Sequence, residues 1–112
     1  MINPKNIQEA ILNLKKSKCI VLDIREESER EQNGCAEGST WVATSKIKAQ
    51  DDQWQTFVKS AKTKNVPVYV FCAAGVRAQM VSDLLDTEGV SAHNIGGFSD
   101  WVEANGPTGK SA

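Results

Sequence analysis

The chain has 112 residues, of which 40% are hydrophobic and 24% charged, and its formal net charge is -1. This length suits one domain with a buried core. A nearly neutral chain without a basic stripe is not expected to bind nucleic acid or an anionic membrane through general charge attraction. No apolar stretch approaches the roughly eighteen residues of a membrane span.

Three cysteines lie far apart in the sequence, and their number is odd. They suit neither a disulfide framework nor a tetrahedral zinc site, so we predict no metal. The N-terminus is polar and lacks the apolar segment of a signal peptide. Together these observations predict a cytoplasmic protein, unless a leader peptide has been removed.

Hydrophobic periodicity in the first half predicts two helices and two strands. They are a helix over about 4–16, a buried strand over 19–22, a charged surface helix over 26–32 and a short strand over 40–43. Asn3 is the expected N-cap of the first helix, because proline follows it. The apolar run ends at Asp23, which therefore lies at the carboxyl end of its strand.

The second half continues the alternation of helices and strands. The predicted elements are a helix around 54–61, a strand over 68–71, a helix around 80–85, a strand over 92–95 and a turn of helix around Trp101. Gly96 and Gly97 are interpreted as a tight turn where the last strand ends. The pattern is typical of a single α/β domain over 1–107 with a mainly parallel sheet, followed by a flexible tail over 108–112.

The most informative segment is the loop Cys72-Ala73-Ala74-Gly75-Val76-Arg77, between a predicted strand and a predicted helix. Backbone N–H groups and the positive end of the helix dipole would surround the thiol there and favour its thiolate form. We therefore predict that Cys72 is a nucleophile that lies open to solvent. Arg77 would help to bind an anion in the same loop.

Three segments resemble the single-domain rhodaneses, sulfurtransferases that carry a persulfide on cysteine. They are Val21-Leu22-Asp23-Ile24-Arg25 with Glu29 following, the loop Cys72–Arg77, and Gly96-Gly97-Phe98-Ser99-Asp100-Trp101. The order and spacing of all three make the resemblance specific. It extends over about residues 2 to 107.

The resemblance implies a mainly parallel five-stranded sheet flanked by helices on both faces. It implies that Cys72 takes a sulfane sulfur from a donor such as thiosulfate and passes it to cyanide or a cellular thiol, without a cofactor. The backbone of Ala73, Ala74, Gly75, Val76 and Arg77 would hold the persulfide. A sulfur-relay protein is a further candidate partner, and no nucleic-acid or membrane partner is expected.

Loop length separates this chemistry from that of related families. Dual-specificity phosphatases and arsenate reductases, which share the fold of the rhodaneses that the chain resembles, have a loop one residue longer, whereas four residues separate Cys72 from Arg77 here. The shorter ring suits sulfur or a sulfonate better than a phosphate ester. Phosphatase or arsenate reductase activity is therefore the more distant alternative.

The chain departs from the family pattern at three places. Ala73 stands where many members have a cation, Ala78 where a serine or threonine is common, and Gly34-Cys35-Ala36-Glu37-Gly38 where the family has Gly-His-Ile-Pro-Gly. We therefore expect weak thiosulfate binding. These departures also motivate a second hypothesis, a non-catalytic or partner-fed docking module for sulfur relay.

Other polar and sulfur-bearing residues have simpler interpretations. Asp23 and Arg25 are expected to pair with each other or with Glu29 at the strand end, acting on the pocket only through their charge. Cys19 is expected in the core. Cys35 is interpreted as an exposed loop thiol rather than one that resolves a Cys72 persulfide. His93, the sole histidine, is not expected to form a dyad with Cys72.

Overall fold

The computed structural model describes residues 4–110, with side chains from residue 6 onward. The helices are α1 (Pro4–Lys15), α2 (Glu27–Asn33), α3 (Thr44–Lys48), α4 (Asp52–Lys64), α5 (Val76–Thr87) and α6 (Phe98–Glu103). The strands are β1 (Ile20–Asp23), β2 (Cys35–Ala36), β3 (Thr40–Trp41), β4 (Val68–Cys72), β5 (Ala92–Gly97) and β6 (Thr108–Gly109). The predicted N-cap, Asn3, lies outside the described residues.

Within residues 4–110, the main sheet is parallel and has four strands in the order β3-β1-β4-β5, not the five that the resemblance implied. The strand β2 does not join it. The chain leaves α2 through Gly34, where φ is 83°, and β2 then pairs antiparallel with β6. A left-handed glycine at this turn allows the chain to change direction after so short a helix.

The segment after Gly106, predicted to be frayed, contains part of this second pairing. Cys35 lies opposite Gly109, and Ala36 opposite Thr108. Thr108 and Gly109, within the tail predicted over 108–112, form a two-residue strand that pairs with β2, and the flexibility of this tail stays a prediction. Residues 111 and 112 lie outside the described residues.

Alternating side chains of β4 point to opposite faces of the sheet, and each face is covered by helices. Val68 and Val70 pack with residues of α3, α4 and α5, whereas Tyr69 and Phe71 pack with residues of α1 and α6. This alternation follows from the two-residue period of a strand. The α/β fold with helices on both faces is thus confirmed.

The sheet register brings the chemically interesting residues to one edge. Asp23 lies beside Phe71, one residue before Cys72, and Cys72 lies beside Gly97. Gly96 and Gly97, predicted as a turn, lie within β5, and the pairing with β4 shifts register there. Left-handed backbone at Gly96, with a φ of 94°, accommodates this irregularity.

Within residues 4–110, no helix combines the length and the apolar composition that crossing a membrane requires. The same part of the chain contains no group of three or more histidine, cysteine or acidic side chains placed to hold a metal ion.

Candidate active site

Cys72 is the last residue of β4, and only 1% of its surface is exposed. The prediction that it lies open to solvent is therefore wrong. Its sulfur nevertheless lies at the loop, because the Gly75 N–H donates a hydrogen bond to Sγ at 2.9 Å. One face of Cys72 packs in the core and the other meets a backbone donor at the start of α5.

Gly75 gives the loop its shape. Its φ of 96° is a left-handed value that favours glycine, and it is the N-cap of α5. Its carbonyl accepts hydrogen bonds from the Asn94 side-chain amide at 2.9 Å and from the Gln79 backbone at 3.2 Å. Asn94 thereby ties the loop to β5. Asn94 has no local sequence signature, because its contact with Gly75 depends on how two strands align.

The peptide after Cys72 packs directly against β5. A Cβ atom placed on Gly97 would lie 2.1 Å from the carbonyl oxygen of Ala73. No side chain can occupy this position unless the loop moves. Gly97 therefore acts as a spacer that sets the position of the loop relative to the sheet.

We expect Gly97→Ala to lower the free energy of unfolding by about 1–3 kcal/mol, the usual cost of overpacking, and to displace the Cys72 loop. Urea unfolding and labelling of Cys72 by iodoacetamide measure the two effects. Gly109→Ala is the matched control, since a Cβ there meets nothing within 4 Å. Equal stability of the two variants would contradict the spacer role.

Arg77, predicted to bind an anion, is engaged by a carboxylate in this structure. Its Nη1 and Nη2 donate to the two oxygens of Glu29, at 3.0 and 2.7 Å. This contact raises the pKa of Arg77 and lowers the pKa of Glu29. The loop's single cation is therefore largely neutralised, a feature that the sequence did not reveal because the partners lie 48 residues apart.

Asp23 and Arg25 form a buried ion pair, as predicted. Arg25 Nε and Nη2 donate to the Asp23 carboxylate at 3.1 and 3.0 Å, and Arg30 Nε donates to the same group at 3.1 Å. Arg25 Nη2 also reaches the Gly34 carbonyl at 2.7 Å. These bonds connect the end of β1 to the start of the turn after α2.

A cleft of about 490 Å³ opens beside the loop. Its lining includes Ala73, Arg25, Glu29, Phe98, Val102 and Glu103. The Arg25 guanidinium lies 4.3 Å from the centre of the Phe98 ring, so its charge is covered on one face as well as paired with Asp23. A compound in this cleft would contact apolar surface, the carboxylates of Glu29 and Glu103, and Ala73, which directly follows Cys72.

The other two cysteines are also free. Cys19 is buried as predicted, and burial raises the pKa of its thiol to about 11. Cys35 lies in β2 rather than in a loop, is half-buried, and has its sulfur 3.5 Å from the Lys110 carbonyl. His93 lies against the Tyr69 ring, 5.4 Å between ring centres.

Comparison with solved structures places this architecture among known domains. A rhodanese-like domain protein from Staphylococcus aureus is 21% identical, with a TM-score of 0.71, over 99% of this chain and 97% of that one. A rhodanese-related protein from Thermoplasma volcanium is 23% identical, with a TM-score of 0.72, over 98% and 97%.

A third structure, described as a protein of unknown function and possible tyrosine phosphatase from Rhodopseudomonas palustris, is also similar. It is 26% identical, with a TM-score of 0.72, over 92% of this chain and 81% of that one. A search of the curated proteins gave no match. The model of the rhodanese-like domain matches residues 6–104, so the chain belongs to the rhodanese-like family.

Proposed function

We propose that this domain transfers sulfane sulfur through a persulfide on Cys72. The observation that carries the proposal is the hydrogen bond from the Gly75 N–H to Cys72 Sγ at the start of α5. A sulfur anion at this position is stabilised by an oriented backbone dipole and by the positive end of the helix. The Gly75 N–H can donate a hydrogen bond first to the Cys72 thiolate and then to the terminal sulfur of the persulfide.

The reaction proceeds in two balanced steps. The Cys72 thiolate attacks the outer sulfur of thiosulfate, a sulfur–sulfur bond forms, and sulfite leaves with the electron pair of the bond that breaks. Cyanide or a thiolate then attacks the outer sulfur of the persulfide and takes it away, which restores the Cys72 thiolate. A covalent intermediate of this kind gives ping-pong kinetics.

Intact-mass measurement tests the first step. After incubation with thiosulfate and removal of excess donor, we expect the protein to gain one sulfur atom and to lose it on addition of cyanide, with thiocyanate appearing in equal amount. Mapping by peptide mass should place the sulfur on Cys72. Absence of the adduct with thiosulfate and with a protein persulfide donor would contradict the proposal.

A partner-fed relay module is the second candidate, and the burial of Cys72 favours it. Only 1% of Cys72 is exposed, whereas Val76 beside it is 81% exposed and Met80, one helical turn further, is 43% exposed. Exposed apolar residues next to the loop suit contact with a protein donor. The mass experiment separates the two candidates. The relay module predicts that Cys72 gains sulfur from a partner persulfide and not from thiosulfate.

Phosphatase chemistry remains the distant alternative, because one similar structure is described as a possible tyrosine phosphatase. Four residues between Cys72 and Arg77, and the engagement of Arg77 by Glu29, both disfavour a phosphate ester in this loop. Hydrolysis of an aryl phosphate that depends on Cys72 would support it.

A cytoplasmic setting remains part of the main proposal, since all three cysteines are free.

A further inference from the structure

Glu29 occupies two positions that matter for a compound approaching the loop. Its carboxylate holds both terminal nitrogens of Arg77, and the same residue lines the cleft beside Ala73. Its Oε2 also accepts the Glu26 N–H at 2.7 Å, which fixes the side chain at the first turn of α2. Glu29 is therefore held where its charge acts on both the loop and the cleft.

The charged side chains around the cleft differ in whether they are already paired within the protein. Arg77 is paired with Glu29, and Arg25 is paired with Asp23. Glu103, in contrast, is an exposed carboxylate of the lining. An anion entering this cleft would meet carboxylates while both nearby guanidinium groups are already engaged.

We propose that Glu29 determines the charge specificity of the site: it directs neutral and cationic sulfur compounds to Cys72 and disfavours anionic ones. The inference rests on the proposed sulfur transfer and names its preferred substrates, small thiols and persulfides whose organic part carries no negative charge and that enter through the cleft. Thiosulfate, an anion, is then a weak donor that serves the assay. The apolar side chains of Phe98 and Val102 supply contact for the uncharged part of such a compound.

Alkylation of Cys72 tests this charge effect without requiring turnover. Iodoacetamide is neutral and iodoacetate is an anion, and both form the same carbon–sulfur bond with loss of iodide. The ratio of their rate constants at Cys72, measured by peptide mass, cancels the intrinsic reactivity of the thiolate. Cys35, in the separate β2–β6 pair, gives a reference ratio within the same molecule.

We expect Glu29→Gln to raise the iodoacetate-to-iodoacetamide ratio at Cys72 about fivefold, since it removes one nearby charge and leaves Arg77 uncompensated. Glu27→Gln is the matched control, because Glu27 is exposed in the same first turn of α2. It should change the ratio less than about twofold, and added salt should reduce the effect of Glu29→Gln. A purely structural role would show no such salt dependence.

Glu103→Gln is a second variant that leaves the Arg77–Glu29 contact intact, and we expect a rise of about twofold from it. An unchanged ratio in Glu29→Gln, an equal change in Glu27→Gln, or a wild-type Cys72 that neither reagent alkylates would overturn the inference. Failure of the proposed function is a separate result: no persulfide would form on Cys72, whatever the alkylation ratios.

The corresponding turnover measurement uses thiols of different charge as acceptors. In ping-pong kinetics the kcat/KM of the acceptor reports the second step alone. We expect Glu29→Gln to raise this constant for 3-mercaptopropionate relative to cysteamine about fivefold. An unaltered preference between the two thiols would contradict the role of Glu29 in transfer.

Discussion

Replacing Cys72 by serine is expected to lower thiosulfate:cyanide transfer about a thousandfold or more, because the group that carries the sulfur is removed. A serine hydroxyl can still accept the Gly75 N–H bond, so we expect the fold to be retained. Thiocyanate formation measures turnover, and intact mass measures the persulfide. Circular dichroism and urea unfolding check that the variant is folded.

Cys35→Ser is the matched control for this experiment, since it makes the same chemical change at the half-buried cysteine of β2. We expect it to keep both the persulfide and turnover. If Cys35→Ser instead accepts sulfur but no longer turns over, Cys35 resolves the Cys72 persulfide. If Cys72→Ser keeps a tenth of the wild-type rate, the nucleophile has been assigned to the wrong residue.

Asp23→Asn is expected to lower the free energy of unfolding by about 3–5 kcal/mol, because a buried charge loses its partner. Arg25 is only 1% exposed, and it donates two side-chain hydrogen bonds to the Asp23 carboxylate. An asparagine cannot supply two accepting oxygens, and its amide hydrogens would face a guanidinium. Urea unfolding with a common m-value gives the difference in stability.

Asp52→Asn controls for the loss of one negative charge, since Asp52 is an exposed residue at the first turn of α4. We expect it to cost less than about 1 kcal/mol. A similar loss in both variants would show that the buried pair contributes little beyond the change in net charge. Arg30→Gln removes only the half-buried donor to Asp23. Comparing its loss of unfolding free energy with that of Asp23→Asn would show how much of the latter comes from the Asp23–Arg25 pair.

Much of the fold could be predicted from local patterns. The run from Val68 to Phe71 predicted a strand because it is continuously apolar, and the loop that follows predicted where a helix begins. Two-residue strands such as β2 and β6 carry no periodic signal. The sequence therefore predicted neither the β2–β6 pairing nor the position of Thr108 opposite Ala36. The fifth strand came from the resemblance alone, since the sequence pattern itself predicted four strands, over 19–22, 40–43, 68–71 and 92–95.

The site was harder to predict than the fold. Local sequence indicated Cys72 as the candidate nucleophile and a glycine in its loop, because strand ends and left-handed turns have local signatures. The burial of Cys72, the bond from Asn94 and the engagement of Arg77 by Glu29 each depend on residues far apart in the chain. Such contacts are set by how strands and helices align, which a single sequence does not specify.

The outermost strand β3 contains only Thr40 and Trp41, and the Trp41 indole N–H donates to the Arg25 carbonyl at 2.7 Å. An edge strand of two residues offers few unpaired backbone N–H and C=O groups with which a neighbouring molecule could pair a further strand. Lateral growth into fibrils is therefore disfavoured on that side. In a concentrated solution this protects a domain whose central strand β4, with the sequence Val-Tyr-Val-Phe-Cys, is apolar and buried.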